Sequence, residues 1–373
     1  MNERTIAVFT GSRAEYGLLR PILEALEASE GVVPRLVVGG SHLVGTEPTI
    51  LEIQEEREIH AVVEMQGDQA RTRLSDARAV ARGIRGISEA LALLEPDYLL
   101  VLGDRVEVLA AATSASLMGI RVAHVHGGDA ASGVSDESIR HAVTKLSHIH
   151  FPATPASASR ILAMGEHDQS VFVVGSPAID GLDRMPDLPD AEWDRLGRPR
   201  FVILHHPVGD PDEVEEHRMG ELVSTVGSIG STLVFAPNLD PGSDGIRAAI
   251  GRSGCNVINH LGREDFIGLL RRTDLLIGNS SAGLIECAAL GRPAIDIGDR
   301  QAGRERPDTV VHLQALTGPG LEVAIEQGLG LLQSGADSRY GTGVCGARIA
   351  EILGTIPPGT IPIRKCWSEP RSG

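Results

Sequence analysis

Short apolar runs rich in β-formers alternate with longer helical runs along almost the whole chain, and this alternation limits the fold more than any single motif does. The strand-like runs of the first half are Thr5–Thr10, Arg35–Val38, Ala61–Met65, Tyr98–Leu102, Val122–Val125, Ile149–Phe151 and Val171–Val174. Helical runs lie between them near Leu18–Ala28, Asp76–Leu94, Val106–Met118, Asp136–Leu146 and Ala156–Met164. Continuous apolar strands separated by helices belong to a parallel sheet covered on both faces. The pattern pauses over Gly175–Arg200, which carries Pro177, Pro186, Pro189 and Pro199, a linker composition. It resumes with Phe201–Leu204, Thr232–Phe235, Asn256–Ile258, Leu275–Ile277 and Ala294–Ile297. The expected fold is therefore α/β, with two Rossmann-like domains facing a cleft. The expected boundaries are a first domain over 1–175, a linker over 176–200, a second domain over 201–356 and a tail over 357–373 that packs on the surface or frays.

The 373-residue length agrees with two domains. Aromatic residues make up only 3%, so the core must be built from Ala, Val, Leu and Ile, and no base-stacking surface is expected. A net charge of −16 also argues against a nucleic-acid partner, though not against a small anion held by local Arg and N–H groups. Cys255, Cys287, Cys345 and Cys366 are widely spaced, which excludes a C-x-x-C pair and fits reduced thiols in a cytoplasmic protein. No signal-peptide pattern precedes the first strand, and no apolar run is long enough to span a membrane.

The densest chemistry lies between Arg121 and Phe151. An apolar strand there passes a Gly-Gly turn into a polar helix, with His124, His126, Asp129, Asp136, Glu137, Arg140, His141 and His148 around the turn. The carboxyl ends of strands border the ligand crevice of an open parallel sheet, and carboxylates placed there can move protons. Asp104 ends another strand beside Gly103, where it either faces a ligand or caps the next helix. A metal reading of this cluster lacks the ligand spacing that such sites need. Arg13, in the turn after the first strand, could hold a phosphate or simply be solvated. His42, after the second strand, reads more readily as structural than as a ligand. In the second half, His205 and His206 end a strand, and alternation aims one of them at the ligand side. His206 is assigned there, although a buried pair bonded to backbone fits the spacing equally well. Gly278–Glu286 reads as strand, turn and helix, with Ser280, Ser281 and free N–H groups suited to a pyrophosphate and Glu286 in range of a ribose. Arg300 follows the next strand. The turn after the first strand is neither a Walker A loop nor G-x-G-x-x-G, and no dinucleotide cofactor is expected.

The segments GSRAEYGLL, GSHL, LGDRVE, HGGD, DESIRHAVTKLSHIHF, HHP, PNLDPGSDGI, GNSSAGLIE and IGDRQAGR occur in that order. Together they resemble the hydrolysing UDP-N-acetylglucosamine 2-epimerases of sialic-acid biosynthesis, over nearly the whole chain. The resemblance implies a glycosyltransferase-B-type fold, no metal or nicotinamide cofactor, and a homodimer or homotetramer. It also implies a nucleotide bound by the second domain and a sugar reacting against the first. The implied chemistry is anti elimination of UDP across C1–C2, hydration of the resulting 2-acetamidoglucal and return of a proton to the opposite face of C2. The products are N-acetylmannosamine and UDP. Asp104, Asp129, Asp136 and Glu137 are the candidates for the proton work. The departing UDP falls to Arg13, His206, Ser280, Ser281 and Arg300, with His42, Arg105, Asn238 and Glu286 as further binding residues. Relatives commonly carry an acid at the position of His126 or of Asp129. This chain has it only at Asp129, which leaves His126 itself a candidate base. Related enzymes act on UDP-linked 2,4-diacetamido-trideoxy sugars, and a non-hydrolysing 2-epimerase is a further alternative.

Overall fold

The computed structural model describes residues 3–45, 48–67, 72–130, 137–238 and 240–366. Two parallel sheets organise them. The first is built from β1 (Arg4–Thr10), β2 (Val32–Gly39), β3 (Ala61–Val63), β4 (Tyr98–Leu102), β5 (Arg121–Val125) and β6 (Ile149–Phe151), in the spatial order β3-β2-β1-β4-β5-β6. Its helices are α1 (Arg13–Glu27), α2 (Ile50–Glu56), α3 (Arg73–Leu94), α4 (Val106–Leu117), α5 (Glu137–Leu146) and α6 (Pro155–Ala163).

The short α7 (Asp190–Arg195) leads to the second sheet. That sheet contains β7 (Phe201–Leu204), β8 (Thr232–Phe235), β9 (Asn256–Ile258), β10 (Leu275–Gly278), β11 (Ala294–Ile297) and β12 (Val310–Leu313), ordered β12-β11-β10-β7-β8-β9. It is wound with α8 (Asp212–Ile229), α9 (Ser243–Ser253), α10 (Arg263–Arg272), α11 (Glu286–Ala289) and α12 (Gly318–Gly330). In both sheets the strand order reverses beside the first strand, β1 against β4 and β10 against β7. The α/β class and the Rossmann-like winding of each half are as expected.

Burial on both faces explains the uninterrupted apolar strands. Ile6, Val8, Tyr98 and Leu100 enter one core layer, while Ala7, Phe9, Leu99 and Val101 enter the layer on the opposite face. The Val, Leu, Ile and Phe side chains among them each contribute roughly 1.5–3 kcal/mol on leaving water. With few aromatics, close approach does the packing: Ala110, Ala111, Ala112 and Ala115 of α4 are fully buried, and a Cβ at Gly83 of α3 would stand 2.9 Å from that of Ala110.

The division of the chain differs from the expected one. The first unit holds the described residues up to Asp129, from Glu137 to Asp180 and from Gly341 onward, and the second is Gly181–Tyr340 with Ala130. The cause is α13 (Cys345–Thr355), which packs on α1 instead of closing the second half. Asp180 accepts from the N–H groups of Cys345 at 2.9 Å and Gly346 at 2.6 Å, and Ile349 and Leu353 are buried in the first core. The segment beyond α13 is tied down as far as it is described. Arg121 Nε donates to the Ile361 carbonyl at 2.7 Å, and Lys365 Nζ to that of Lys145 at 2.9 Å. Val171–Val174 is not a strand and adds an isolated bridge to His150, whereas β12 was not anticipated. Among the described residues, no helix is long and apolar enough to cross a membrane.

Candidate functional site

In the first unit the candidate groups gather where β4 and β5 end. Arg140 is their centre, although it was not among the assigned residues. It projects from α5, is 1% exposed, and donates to the carboxylates of Asp104 and Glu137 and, at 2.9 Å, to the Asp129 carbonyl. Burial alone would lower the Arg140 pKa, but Asp104 and Glu137 outweigh it and raise it. The guanidinium therefore stays charged and fixes two carboxylates from different elements in one orientation. Those carboxylates keep side-chain exposures of 23% and 29%, so a ligand can reach them.

Beside them His126 sits at φ +65, a left-handed conformation uncommon for a residue with a side chain. Its ring bridges Asp129 Oδ2 from Nδ1 at 3.0 Å and the Ser176 hydroxyl from Nε2 at 3.0 Å. The Ser157 hydroxyl donates to Asp129 Oδ1 at 2.9 Å. Donation from Nδ1 to the Asp129 carboxylate leaves Nε2 to meet the Ser176 hydroxyl. Ser176, His126 and Asp129 thus line up as a nucleophilic triad does. Ser176, however, is fully buried and its Oγ also accepts from the Ala178 N–H at 3.2 Å, so the line is a support for Asp129 and not a nucleophile. Asp136 lies outside the described residues.

Other expected residues have structural partners. His42 is fully buried with both ring nitrogens taken, Nε2 by Thr10 Oγ1 at 3.0 Å and Nδ1 by Thr49 Oγ1 at 2.6 Å. Burial first, and then Arg13, lower its pKa to about 4. No ring nitrogen is left for a ligand, so the structural reading fits it better than the binding assignment. Arg13 pairs with Glu52 of α2. Arg105 precedes α4, with Nε 3.6 Å from Glu107 Oε2. His124 and His148 are buried supports, each with a pKa lowered to about 4 by burial first. His124 Nε2 meets the Gly103 carbonyl at 2.8 Å, and His148 Nδ1 accepts from the Val122 N–H at 3.1 Å.

In the second unit Asn279 organises the ends of β7 and β10. Its side chain accepts from the His206 N–H at 2.8 Å and donates to the His206 carbonyl at 2.8 Å. Its own carbonyl receives Arg300 Nη1 at 3.1 Å and Gln301 Nε2 at 2.9 Å. Gly278, at φ +151, has no room for a Cβ against the Leu204 carbonyl, which lets β10 close on β7 here. The arrangement brings His206, Ser280 and Arg300 around one residue, and the Asn238 N–H lies 3.4 Å from His206 Nδ1. Asn238 also holds Asp240 through its side chain at 2.6 Å. His205 is buried and His206 is half-buried. The pKa of each is lowered to about 3, by burial first, with Arg300 adding to it.

The turn after β10 is less helical than expected. Ser281–Gly283 is a single 3-10 turn capped by Ser280, whose Oγ accepts from the Ala282 N–H at 3.3 Å, and α11 starts only at Glu286. Glu286 is buried, with Arg263 Nη1 at 3.8 Å. The donors at this turn are therefore hydroxyls and turn N–H groups, not the end of a long helix. Among the described residues, no group of three or more His, Cys, Asp or Glu is arranged to hold a metal ion.

The two strand-order reversals carry opposite chemistry. Beside β1 and β4 stand the carboxyls of Glu15 and Glu107, both buried. Beside β7 and β10 stand neutral donors and Arg300.

A protein-family model described as UDP-N-acetylglucosamine 2-epimerase matches residues 24–354. A hydrolysing UDP-N,N'-diacetylbacillosamine 2-epimerase of Legionella pneumophila is 33% identical, over 97% of this chain and 99% of its own. A UDP-N-acetylglucosamine 2-epimerase of Neisseria meningitidis is 29% identical, over 94% and 95%. Among solved structures, the Methanocaldococcus jannaschii UDP-GlcNAc 2-epimerase in complex with UDP-GlcNAc and UDP superposes with a TM-score of 0.76 at 20% identity, covering 94% of this chain and 99% of that one.

Proposed function

The chain belongs to the UDP-N-acetylglucosamine 2-epimerase family, and from that premise we propose that it is a hydrolysing 2-epimerase of a UDP-linked 2-acetamido sugar. The observation that carries the proton chemistry is the Arg140 hub, which holds Asp104 and Glu137 together beside the His126–Asp129 pair. One carboxylate of the hub takes the C2 proton as the C1–O bond to UDP breaks, leaving the 1,2-unsaturated 2-acetamido sugar. Water adds at C1, and an acid of the same group returns a proton to the other face of C2. The sum is UDP-sugar plus water giving the free 2-epimer plus UDP. In the second unit, Ser280, Arg300, Asn238 and His206 receive the UDP. Burial keeps His206 neutral, so it acts there as a hydrogen-bonding group and not as a cation.

UDP-N-acetylglucosamine is the first substrate reading. A second is UDP-2,4-diacetamido-2,4,6-trideoxyglucose, favoured by the 33% identity to the Legionella enzyme. Incubation of the protein with each UDP-sugar in D₂O, followed by NMR, tests the proposal. The expected product is the free 2-epimer carrying deuterium at C2. A 2-epimer still attached to UDP would refute hydrolysis, and an unlabelled C2 would refute elimination. The better substrate is the one with the higher kcat/KM.

A further inference from the structure

Two carboxyl groups that the reaction above does not use are buried at the strand-order reversal of the first sheet. Glu15 lies in the first turn of α1 and Glu107 in the first turn of α4, at 5% and 0% exposure. Glu15 Oε2 accepts from the Gly11 N–H at 2.8 Å, while its Oε1 is buried with no hydrogen-bond partner. Glu107 takes Gln66 Nε2 on one oxygen and faces Arg105 Nε with the other.

The surrounding backbone is moulded on this pair. A Cβ at Gly11 would overlap Glu107 Cβ and Cγ and come within 3.5 Å of Glu15 Oε2. Gly40, at φ +64, would overlap Glu107 Cγ in the same way. Ser41 ties the two turns together, donating to the Gly11 carbonyl from N at 2.8 Å and from Oγ at 2.9 Å. The turns that follow β1, β2 and β4, together with Gln66 beyond β3, thus converge on two acid side chains.

We propose that Glu15 is a positioning residue that works as the neutral acid beside the Glu107 carboxyl, and that the absence of a second buried charge lets the Gly11–Arg13 and Gly40–Leu43 turns stay closed in the geometry that turnover uses. The role in turnover rests on the proposed function; the protonation of Glu15 does not. The charged neighbours bear this out. Burial first, then Glu107, push the Glu15 pKa up to about 8, against the smaller opposing effects of Arg105, the Gly11 N–H and Ser12. From α1, Arg13 turns to Glu52; from the turn after β2, the His42 ring is taken by Thr10 and Thr49; Gln66 is neutral. Among the described residues, Arg105 is the cation that faces both carboxyls, with its Nε 3.6 Å from Glu107 Oε2. Ionising Glu15 would put a second negative charge against Glu107 and push the two turns apart.

The test combines urea unfolding of the wild type and Glu15→Gln between pH 5 and 9 with their pH–rate profiles on the UDP-sugars. A carboxyl whose folded pKa is raised stabilises the fold fully below about 4.5, and that contribution is lost as pH rises through about 8. The folding constant of Glu15→Gln relative to wild type should therefore rise by about tenfold per pH unit from 5 to 8 and then level off. Wild-type turnover should fall above pH 8, and Glu15→Gln should lose that alkaline fall, while Glu15→Ala lowers kcat at every pH. A relative folding constant that is flat from pH 5 to 9 would overturn the protonated acid. An alkaline limb identical in wild type and Glu15→Gln would overturn the positioning role. Absence of turnover in the wild type would sink the functional reading, and the unfolding series would still decide the proton.

Discussion

Replacing Arg140 by Met separates the hub from the rest of the first unit. The side chain is 1% exposed, and Met fills most of its volume without its charge. Three interactions disappear: those with the Asp104 and Glu137 carboxylates and that with the Asp129 carbonyl. The carboxylates keep 23% and 29% exposure, so water replaces part of what they lose, and the lower end of the charged-bond range, about 1.5 kcal/mol each, applies. The Asp129 carbonyl, left without its donor, adds about 1 kcal/mol. The sum of about 4 kcal/mol falls within the roughly 3–5 kcal/mol found on removing one partner of a buried ion pair. In a unit of this size that lowers Tm by about 8–16 °C. Turnover should fall by about 10²–10⁴-fold, because Asp104 and Glu137 lose their common orientation. Arg140→Lys should recover part of the stability but less of the rate, since one ammonium cannot span all the acceptors. Urea unfolding and kcat on the same preparations test this. A Met variant within about 1 kcal/mol of wild type, or one with wild-type kcat, would refute the hub as both anchor and orienting group.

Other outcomes are expected. Ser280→Ala and Arg300→Ala should weaken UDP binding by about tenfold or more, as loss of a charge-assisted bond does, while Asp104→Asn keeps UDP affinity by calorimetry and loses rate. If Asp104→Asn instead lost UDP affinity and kept kcat, the division of labour between the units would be wrong. The protein should lose stability in acid: unfolded histidines protonate below about 6.5, whereas His42, His124 and His148 hold out to about 4, and His205 and His206 to about 3. Folding releases their protons, so this contribution is complete above about pH 6.5 and is lost toward pH 4, by up to about 1.4 kcal/mol per pH unit and histidine. Glu15 acts in the opposite direction but is one group, so the urea midpoint should drop between pH 7 and 5, and an unchanged midpoint would contradict the buried neutral histidines. Turnover should persist in excess EDTA, and a loss restored by one divalent ion would show a metal requirement.

The central strands were legible because they are buried on both faces, as β4 and β10 are along their whole length. β12 escaped because Val310–Leu313 follows a polar stretch and is an edge strand with three of its residues only partly buried. Val171–Val174 looked like a strand from composition, yet it runs beside β6 with only an isolated bridge and two N–H bonds, from Phe172 to the His150 carbonyl at 2.9 Å and from Val174 to that of Pro152 at 3.2 Å. The acids around the Gly-Gly turn stood out in the sequence, but the residue joining them did not. Arg140 follows Glu137 by three positions, which suggests one ion pair; its contact with Asp104 crosses 36 residues and arises only when α5 is laid against the end of β4. Glu15 and Glu107 sat inside the segments that carry the family resemblance and still gave no sign of burial, because it depends on Gly11 and Gly40 admitting them. His42 shows the converse, a residue picked out by its turn that two threonine hydroxyls occupy fully.

The return of Gly341 onward to the first unit sets an order on biosynthesis. A ribosome releases Gly181–Tyr340 as one uninterrupted stretch, so the second unit can close as soon as it emerges. The first unit, started earlier, must wait. Until α13 arrives, α1 shows solvent the surface that Ile349 and Leu353 later cover, the Asp180 carboxylate has no helix end to cap, and the acceptors of Lys365 and the donor of Arg121 stay open. The half of the molecule made first is thus finished last, and a stop codon just before Cys345 would leave a closed second unit beside a first unit with an open apolar flank, a species expected to aggregate or be degraded.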